Sequence, residues 1–260
     1  CRGAQGEELV VSDASLRAKL ARGDRLIGTW IKTPAPIVVE VLADTELDLV
    51  ILDAEHAPFS RFELDACVFA AKTSEMDVLV RVPTAQPHHV LQALDTGATG
   101  VLVPHVRTAE EAVNVSRSAR FGPGGRGYAG STRAAGYGTK PMEVHKADSD
   151  SRTVVVAQLE DAEAVAHAGE IAAIDGIDGI FIGTVDLSVS LGAPGPGAPA
   201  VLEAVAEITR AACEEGCPVG VFANSAEQVS YFAEIGVTLF LMQSDHAFLR
   251  SGAAALAAMR

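Results

Sequence analysis

The chain has 260 residues, 48% of them apolar and 21% charged, with 34 acidic side chains against 20 basic ones for a net charge of −14. That balance belongs to a folded globular protein and excludes wholesale disorder, and no apolar run approaches the ~18 residues of a membrane span. A strongly negative chain repels polyphosphate and anionic lipid, which excludes nucleic acid and membrane as expected partners.

An N-terminal extension and a first helix are expected within 1–25, and a single domain over 26–260. From residue 26 onward, short β-branched runs alternate with amphipathic stretches. The pattern predicts a strand over 26–31 and a helix over 37–43, then 47–52 with 61–72, 78–82 with 88–94, and 101–104 with 109–118. It continues with 154–158 and 162–171, 179–182 and 199–215, 219–222 and 226–235, and 239–242 and 246–259. Most strand candidates are continuously apolar, as strands covered on both faces are. Eight strands each followed by a helix, in about 250 residues, predict a (β/α)8 TIM barrel.

Two segments interrupt the rhythm. Residues 120–150 form a Gly-rich and then polar insertion, and 192–199 (GAPGPGAP) form a Gly/Pro loop. Both are expected to border the carboxyl ends of the strands, where function concentrates in this fold. Residues 122–127 (GPGGRG) match G-x-G-x-x-G but follow a helix rather than a strand, so they are not a dinucleotide fingerprint. A loop edging the site, with Arg126 as a contact, is the expectation. Cys1, Cys67, Cys213 and Cys217 are too scattered for a disulfide scaffold. Cys213 and Cys217 are expected as buried thiols, and a reducing cytoplasm as the compartment.

The chemistry of a barrel is carried at the strand carboxyl ends. There the chain places Trp30-Ile31-Lys32, Asp53-Ala54-Glu55-His56, Arg81, Pro104-His105, Gln158-Leu159-Glu160-Asp161 and Gly183-Thr184-Val185-Asp186. Ion pairs can explain any one of these charges; all of them at one mouth call for a ligand or a metal. Glu160 and Asp186, on adjacent strands, with Gln158 make a hard-oxygen set suited to Mg²⁺ or Mn²⁺, with Co²⁺ or Zn²⁺ as less favoured ions. Arg81 offers a planar fork to a carboxylate. His56 is a residue type that moves protons near neutrality, and Asp53 three residues earlier can orient it. Of the five lysines only Lys32 lies at a strand end, expected in a solvated or ion-paired role, which disfavours imine chemistry.

With the motifs Gly28-Thr-Trp30, Asp53-Ala-Glu-His56, Val80-Arg81-Val-Pro83, Val101-Leu-Val-Pro104, Gln158-Leu-Glu160 and Gly183-Thr-Val-Asp186-Leu, the chain resembles the HpcH/HpaI family of metal-dependent 2-keto-3-deoxy acid aldolases. The likeness runs from about Gly28 to the C-terminus. It implies a class II pyruvate aldolase that cleaves a 2-keto-3-deoxy or 4-hydroxy-2-oxo acid to pyruvate and an aldehyde, with a divalent ion on Glu160 and Asp186. It further implies Arg81 at the enolate oxygen, His56 in proton transfer, and Trp30 and Gln158 at the substrate. The resemblance also implies a substrate-binding stretch of Gly183, Thr184, Val185 and Asp186, with the backbone amides of Val185 and Asp186 holding the pyruvate carboxylate. Asp95, which supports the histidine in the family, lies at the opposite end of its own barrel. The resemblance therefore implies a homo-oligomer, a hexamer, with the last helix packed on a neighbour. Thr184, Val185, Asp161 and Ala54 depart from the common family residues and leave the second substrate open. A CoA-ester lyase of the citrate-lyase β type and a non-catalytic binding barrel are the alternatives.

Overall fold

The computed structural model describes residues 15–260; the expected N-terminal extension and Cys1 lie outside the described residues. In chain order the elements are α1 (Leu16–Arg22), β1 (Leu26–Ile31), α2 (Pro36–Ala43), β2 (Leu49–Asp53), α3 (Arg61–Thr73), β3 (Asp77–Arg81), α4 (Pro87–Asp95), β4 (Gly100–Val103) and α5 (Ala109–Ala119). After a short 3₁₀ turn (Gly136–Gly138) come α6 (Met142–Arg152), β5 (Val154–Leu159), α7 (Ala162–Ala172), β6 (Gly179–Ile182), α8 (Thr184–Ser190), α9 (Pro199–Glu214), β7 (Val219–Ala223), α10 (Ala226–Glu234), β8 (Leu239–Ser244) and α11 (Asp245–Ala257). The eight strands close into one parallel barrel, β8 returning to pair with β1.

Burial on both faces explains the unbroken apolar strands. Along β2, Leu49 and Ile51 join Leu79, Leu102, Val156 and Phe181 in the barrel interior, while Val50 and Leu52 belong to the layer beneath the helices. Side-chain alternation assigns each set to its face. Helix starts are fixed by local chemistry. Ser60 and Glu63 form a reciprocal capping box on α3, and Thr108, Ser225 and Ser244 cap α5, α10 and α11. Proline at the first turn starts α2, α4 and α9. No helix among the described residues is long and apolar enough to cross a membrane.

The structure corrects three expectations. The 120–150 insertion leaves the C-terminal end of α5, and a helix in this fold runs back to the amino end of the barrel. Arg120 there bonds the Thr153 carbonyl ahead of β5 and Asp178 ahead of β6. The insertion and its 122–127 loop are thus remote from the mouth. Arg126 is no site contact: it is buried, pairs with Asp95 at 2.5 Å and lies over the Phe121 ring. The segment also contains α6, a polar helix that buries only His145 and so carries no amphipathic signature. Finally, Cys213 is exposed, although Cys67 and Cys217 are buried.

Candidate active site

Asp53, the last residue of β2, is fully buried and sits at the centre of a charge network. Its Oδ1 accepts from Arg81 Nε at 3.0 Å and from the His56 backbone N–H at 3.1 Å. Its Oδ2 accepts from Lys32 Nζ at 2.6 Å and lies 2.8 Å from Arg81 Nη2. Burial alone would raise the Asp53 carboxyl. The bonds and charge of Arg81, with Lys32, outweigh it and hold the group at about 2. Lys32 is therefore ion-paired, as expected, and its own backbone N–H is held by Asp245 at the start of α11.

Arg81 closes β3 and is 6% exposed. Its guanidinium lies 4.4 Å above the Trp30 ring and places Nη1 3.3 Å from Glu55 Oε2. Stacking and a two-point grip on Asp53 leave the fork one geometry, which is pre-organisation rather than adaptability. The predicted Asp53–His56 relation is thus a backbone bond; the Asp53 carboxylate mainly orients Arg81. His56 itself is exposed, its Nε2 3.8 Å from Glu55 Oε2.

The second cluster is made across β2, β4 and β5. Glu160, 2% exposed, takes the His105 backbone N–H on Oε1 at 3.0 Å and the Gln158 amide on Oε2. His105 adopts φ of 55°, a left-handed conformation that a non-glycine residue keeps only under tertiary constraint. Its Nδ1 meets Asp161 Oδ2 at 3.0 Å, and Nε2 lies 3.8 Å from Glu55 Oε1. Imidazoles that bind metals are oriented by a carboxylate on the other ring nitrogen in the same manner. One ligand atom each from Glu55, His105 and Glu160 lies within 4.8 Å of the others. Two buried atoms here, Glu55 Oε2 and Gln158 Oε1, have no hydrogen-bond partner. Burial drives both Glu55 and Glu160 above the ordinary carboxylate range, against the lowering by Arg81 and His105 at Glu55 and by Gln158 and His105 at Glu160. Two strained acids and an oriented imidazole suit a divalent cation, which would favour their ionised forms.

Gly183 makes this packing feasible. A Cβ there would fall 2.6 Å from Glu160 Oε2 and 2.8 Å from Glu160 Cβ. It caps α8, whose first turn carries Asp186, half-buried and without a side-chain hydrogen bond or ion pair among the described residues.

Of the sequence-predicted residues, Trp30, His56, Arg81, Gln158, Gly183, Thr184, Val185 and Asp186 line one cavity of about 340 Å³. Asp53 and Glu160 stand behind it, bonded to Arg81 and Gln158 respectively. Asp95 is elsewhere, at the end of α4 in its pair with Arg126. Sequence reading gave no role to Glu55, His105 or Asp161, although all three were visible at strand ends. Their signal is the pairing of an imidazole after β4 with an added acid after Glu160.

The chain from 26 to 250 matches the family model described as HpcH/HpaI aldolase/citrate lyase. It is 36% identical over 246 residues to a 4-hydroxy-2-oxovalerate aldolase of Rhodococcus jostii (strain RHA1), covering 94% of this chain and 95% of the relative. It is also 36% identical over 243 residues to a 5-keto-4-deoxy-D-glucarate aldolase of Klebsiella pneumoniae, covering 93% and 94%. The crystal structure of an HpcH/HpaI aldolase/citrate lyase family protein from Burkholderia cenocepacia J2315 superposes with a TM-score of 0.88 at 30% identity, over 94% of this chain and 98% of that one. Matching in sequence along the barrel and in the fold itself, the chain belongs to the HpcH/HpaI aldolase/citrate lyase family.

Proposed function

We propose that the chain is a class II pyruvate aldolase, a carbon–carbon lyase that reversibly cleaves a 4-hydroxy-2-oxo or 2-keto-3-deoxy acid to pyruvate and an aldehyde. The carrying observation is that the Arg81 fork, locked on Asp53 and over Trp30, shares one cavity with Gln158 and Asp186, while Glu160 stands directly behind Gln158. Cleavage removes the proton of the C4 hydroxyl and turns that C–O bond into a carbonyl as C3–C4 breaks. The electron pair passes into the enolate of pyruvate, which takes a proton at C3 to become the methyl group. Arg81 stabilises the oxygen on which that charge develops. His56, exposed at the mouth, takes the hydroxyl proton. Gln158 orients the substrate, and the backbone amides of Val185 and Asp186 hold its carboxylate.

Glu160 and Asp186 are the ligands proposed for a divalent cation, and Glu55 and His105, each with a ligand atom within 4.8 Å of the other and of Glu160, would complete the set. Such an ion supplies Lewis-acid polarisation of the keto group. The oxygen donors suit Mg²⁺ or Mn²⁺; the His105 nitrogen widens the range toward Co²⁺ or Zn²⁺. Both curated relatives carry aldolase names, which favours aldol cleavage over a CoA-ester lyase. Exchange of the pyruvate methyl protons with D₂O, followed by NMR, is the test. Exchange should need added Mg²⁺ or Mn²⁺ and stop with chelator; a protein that binds pyruvate without exchange is a binding barrel instead.

A homo-oligomer is part of the same reading, with Asp95 acting at the site of a neighbouring copy. Its support is α11, thirteen residues of which only Asp245 is buried, with Leu249 and Leu256 exposed beside Met259. Sedimentation velocity should find an assembly larger than the monomer, the hexamer being the expected state. A fully active monomer would refute the role given to Asp95.

A further inference from the structure

The 120–150 insertion, remote from the mouth, walls one side of a cavity of about 460 Å³ at the amino end of the barrel. It contributes Arg126 and Lys140, and Arg152 ends the α6 helix that follows. The barrel side brings Lys72 from the last turn of α3, and the α4–β4 turn at Gly97. Lys72 lies over that turn: Gly97 has φ of 88°, and a Cβ on it would fall 3.1 Å from Lys72 Nζ. Four cations thus share one cavity in a chain of net charge −14. Two have partners, Lys140 in Asp148 at 2.9 Å and Arg126 in Asp95. Arg126 nonetheless keeps a buried Nε without a hydrogen-bond partner. The side chains of Lys72 and Arg152 make no hydrogen bond or ion pair among the described residues.

Two further acids line the cavity without answering these charges. Asp77 accepts from Thr99 Oγ1 at 3.0 Å, and the charges acting on it are Lys19 and Asp48. Neither Asp77 nor Glu75 is among the charges acting on Lys72, which are Lys140, Arg133 and Arg152, all positive. Partial burial and those three charges hold the Lys72 ammonium below its ordinary value. A cation in the last turn of a helix complements the helix dipole, which accounts for Lys72 and Arg152 taken singly. It does not account for their meeting in one cavity, beside a third cation, in a chain with 34 acidic side chains. Like charges gathered in partly buried space are destabilising until an anion joins them.

We infer that this cavity binds a small, multiply charged oxyanion, a phosphate monoester or a dicarboxylate, between Lys72 and Arg152. The Lys72 ammonium supplies a point charge and the Arg152 guanidinium a planar fork. The volume is in the range of small-molecule sites. Bound there, the anion ties α3 of the barrel to α6 of the insertion. The site is independent of the proposed aldol chemistry, whose residues stand at the other end of the barrel.

The test is calorimetric titration of the protein with inorganic phosphate, glycerol 3-phosphate and succinate, which separates phosphoryl from carboxylate recognition. Lys72→Gln and Arg152→Gln, both at exposed positions, should each weaken binding of the preferred anion about tenfold or more. Lys146→Gln, on α6 but outside the cavity, should leave it unaltered. A second measurement needs no variant. Acetic anhydride labelling of Lys72 in the unaltered protein, read by mass spectrometry, should slow about tenfold with that anion at ten times its Kd. Lys32 lines the catalytic cavity, so protection confined to Lys32 would place the anion there and overturn the inference. Binding of none of the three anions, an unchanged Kd in either cavity variant, or equal weakening by Lys146→Gln would overturn it as well.

Discussion

Arg81→Ala should lower aldol turnover and pyruvate methyl exchange about 100- to 1000-fold, the usual effect of removing one donor to a developing oxyanion. The size follows from how little freedom this guanidinium has. It is 6% exposed, lies on Trp30, and engages both Asp53 oxygens and Glu55. Nothing needs to reorganise when charge appears on the substrate, and water entering an alanine-sized gap would have to be oriented anew. The same contacts mean that the substitution also reaches the fold. Asp53 is fully buried and would keep only Lys32 as a cationic partner. Breaking a buried pair by removing one member costs about 3–5 kcal/mol, with Lys32 placing the loss at the lower end.

The pH dependence of stability reports on that part separately. The Asp53 carboxyl falls from 3.8 to about 2 on folding, so its contribution is present above the ordinary value and lost as pH drops toward 2. Arg81→Ala should remove most of this acid-side contribution. Arg81→Lys retains a cation for Asp53 but not the fork, so it should melt close to the unaltered protein and still show a large loss in kcat. Wild-type turnover in either variant would end the assignment of Arg81 to the enolate oxygen. Unaltered thermal stability of Arg81→Ala would instead mean that Lys32 alone suffices for Asp53.

The barrel was legible because each of its strands is buried twice. β6, Gly179–Ile182, is four residues long yet stands out as an apolar run, and it falls where the pattern puts it. Elements that do not bury an apolar face were not legible. α6 buries His145 alone, and α8 starts directly at the end of β6, so the Thr184–Ser190 stretch looked like a strand end rather than a turn of helix. The site divides along the same line. Arg81, Gln158 and Asp186 announce themselves by being polar where a βα unit ends. His105 is polar at a strand end too, but its surroundings were not legible, because they depend on a left-handed backbone and on partners from β2 and β5. Such contacts are made only once the barrel closes, and the sequence marks no more than an imidazole after β4 and an extra acid after Glu160. The placement of Arg126 failed for a related reason: a Gly-rich loop carries no mark of which barrel end it leaves from, whereas the helix before it does.

Glu160→Gln should abolish divalent-cation binding and, with the ion absent, stabilise the protein at neutral pH. Burial raises the Glu160 carboxyl above its usual range despite the Gln158 amide and His105. The folded state therefore binds this proton more tightly than the unfolded chain does. Stability from the group is fully present below the ordinary value of 4.5 and is lost as pH rises through the raised folded value. At neutral pH the metal-free protein carries that penalty and Glu160→Gln does not. The introduced amide can still accept the His105 N–H, and with Gln158 turned over it can donate to the Gln158 Oε1 that now lacks a partner. With Mn²⁺ or Mg²⁺ the order should reverse. Ligand at 100 times its Kd stabilises the form that binds it by about 2.7 kcal/mol, and only the unaltered chain should show this. Thermal melts at pH 5 and pH 8, with and without the ion, separate the two effects. The metal-free difference should be larger at pH 8, and the ion-dependent rise should vanish in Glu160→Gln. A variant that melts lower than the unaltered protein at pH 8 without metal, yet still rises in Tm with Mn²⁺, would remove Glu160 from the cation site and leave Asp186, Glu55 and His105 to account for it.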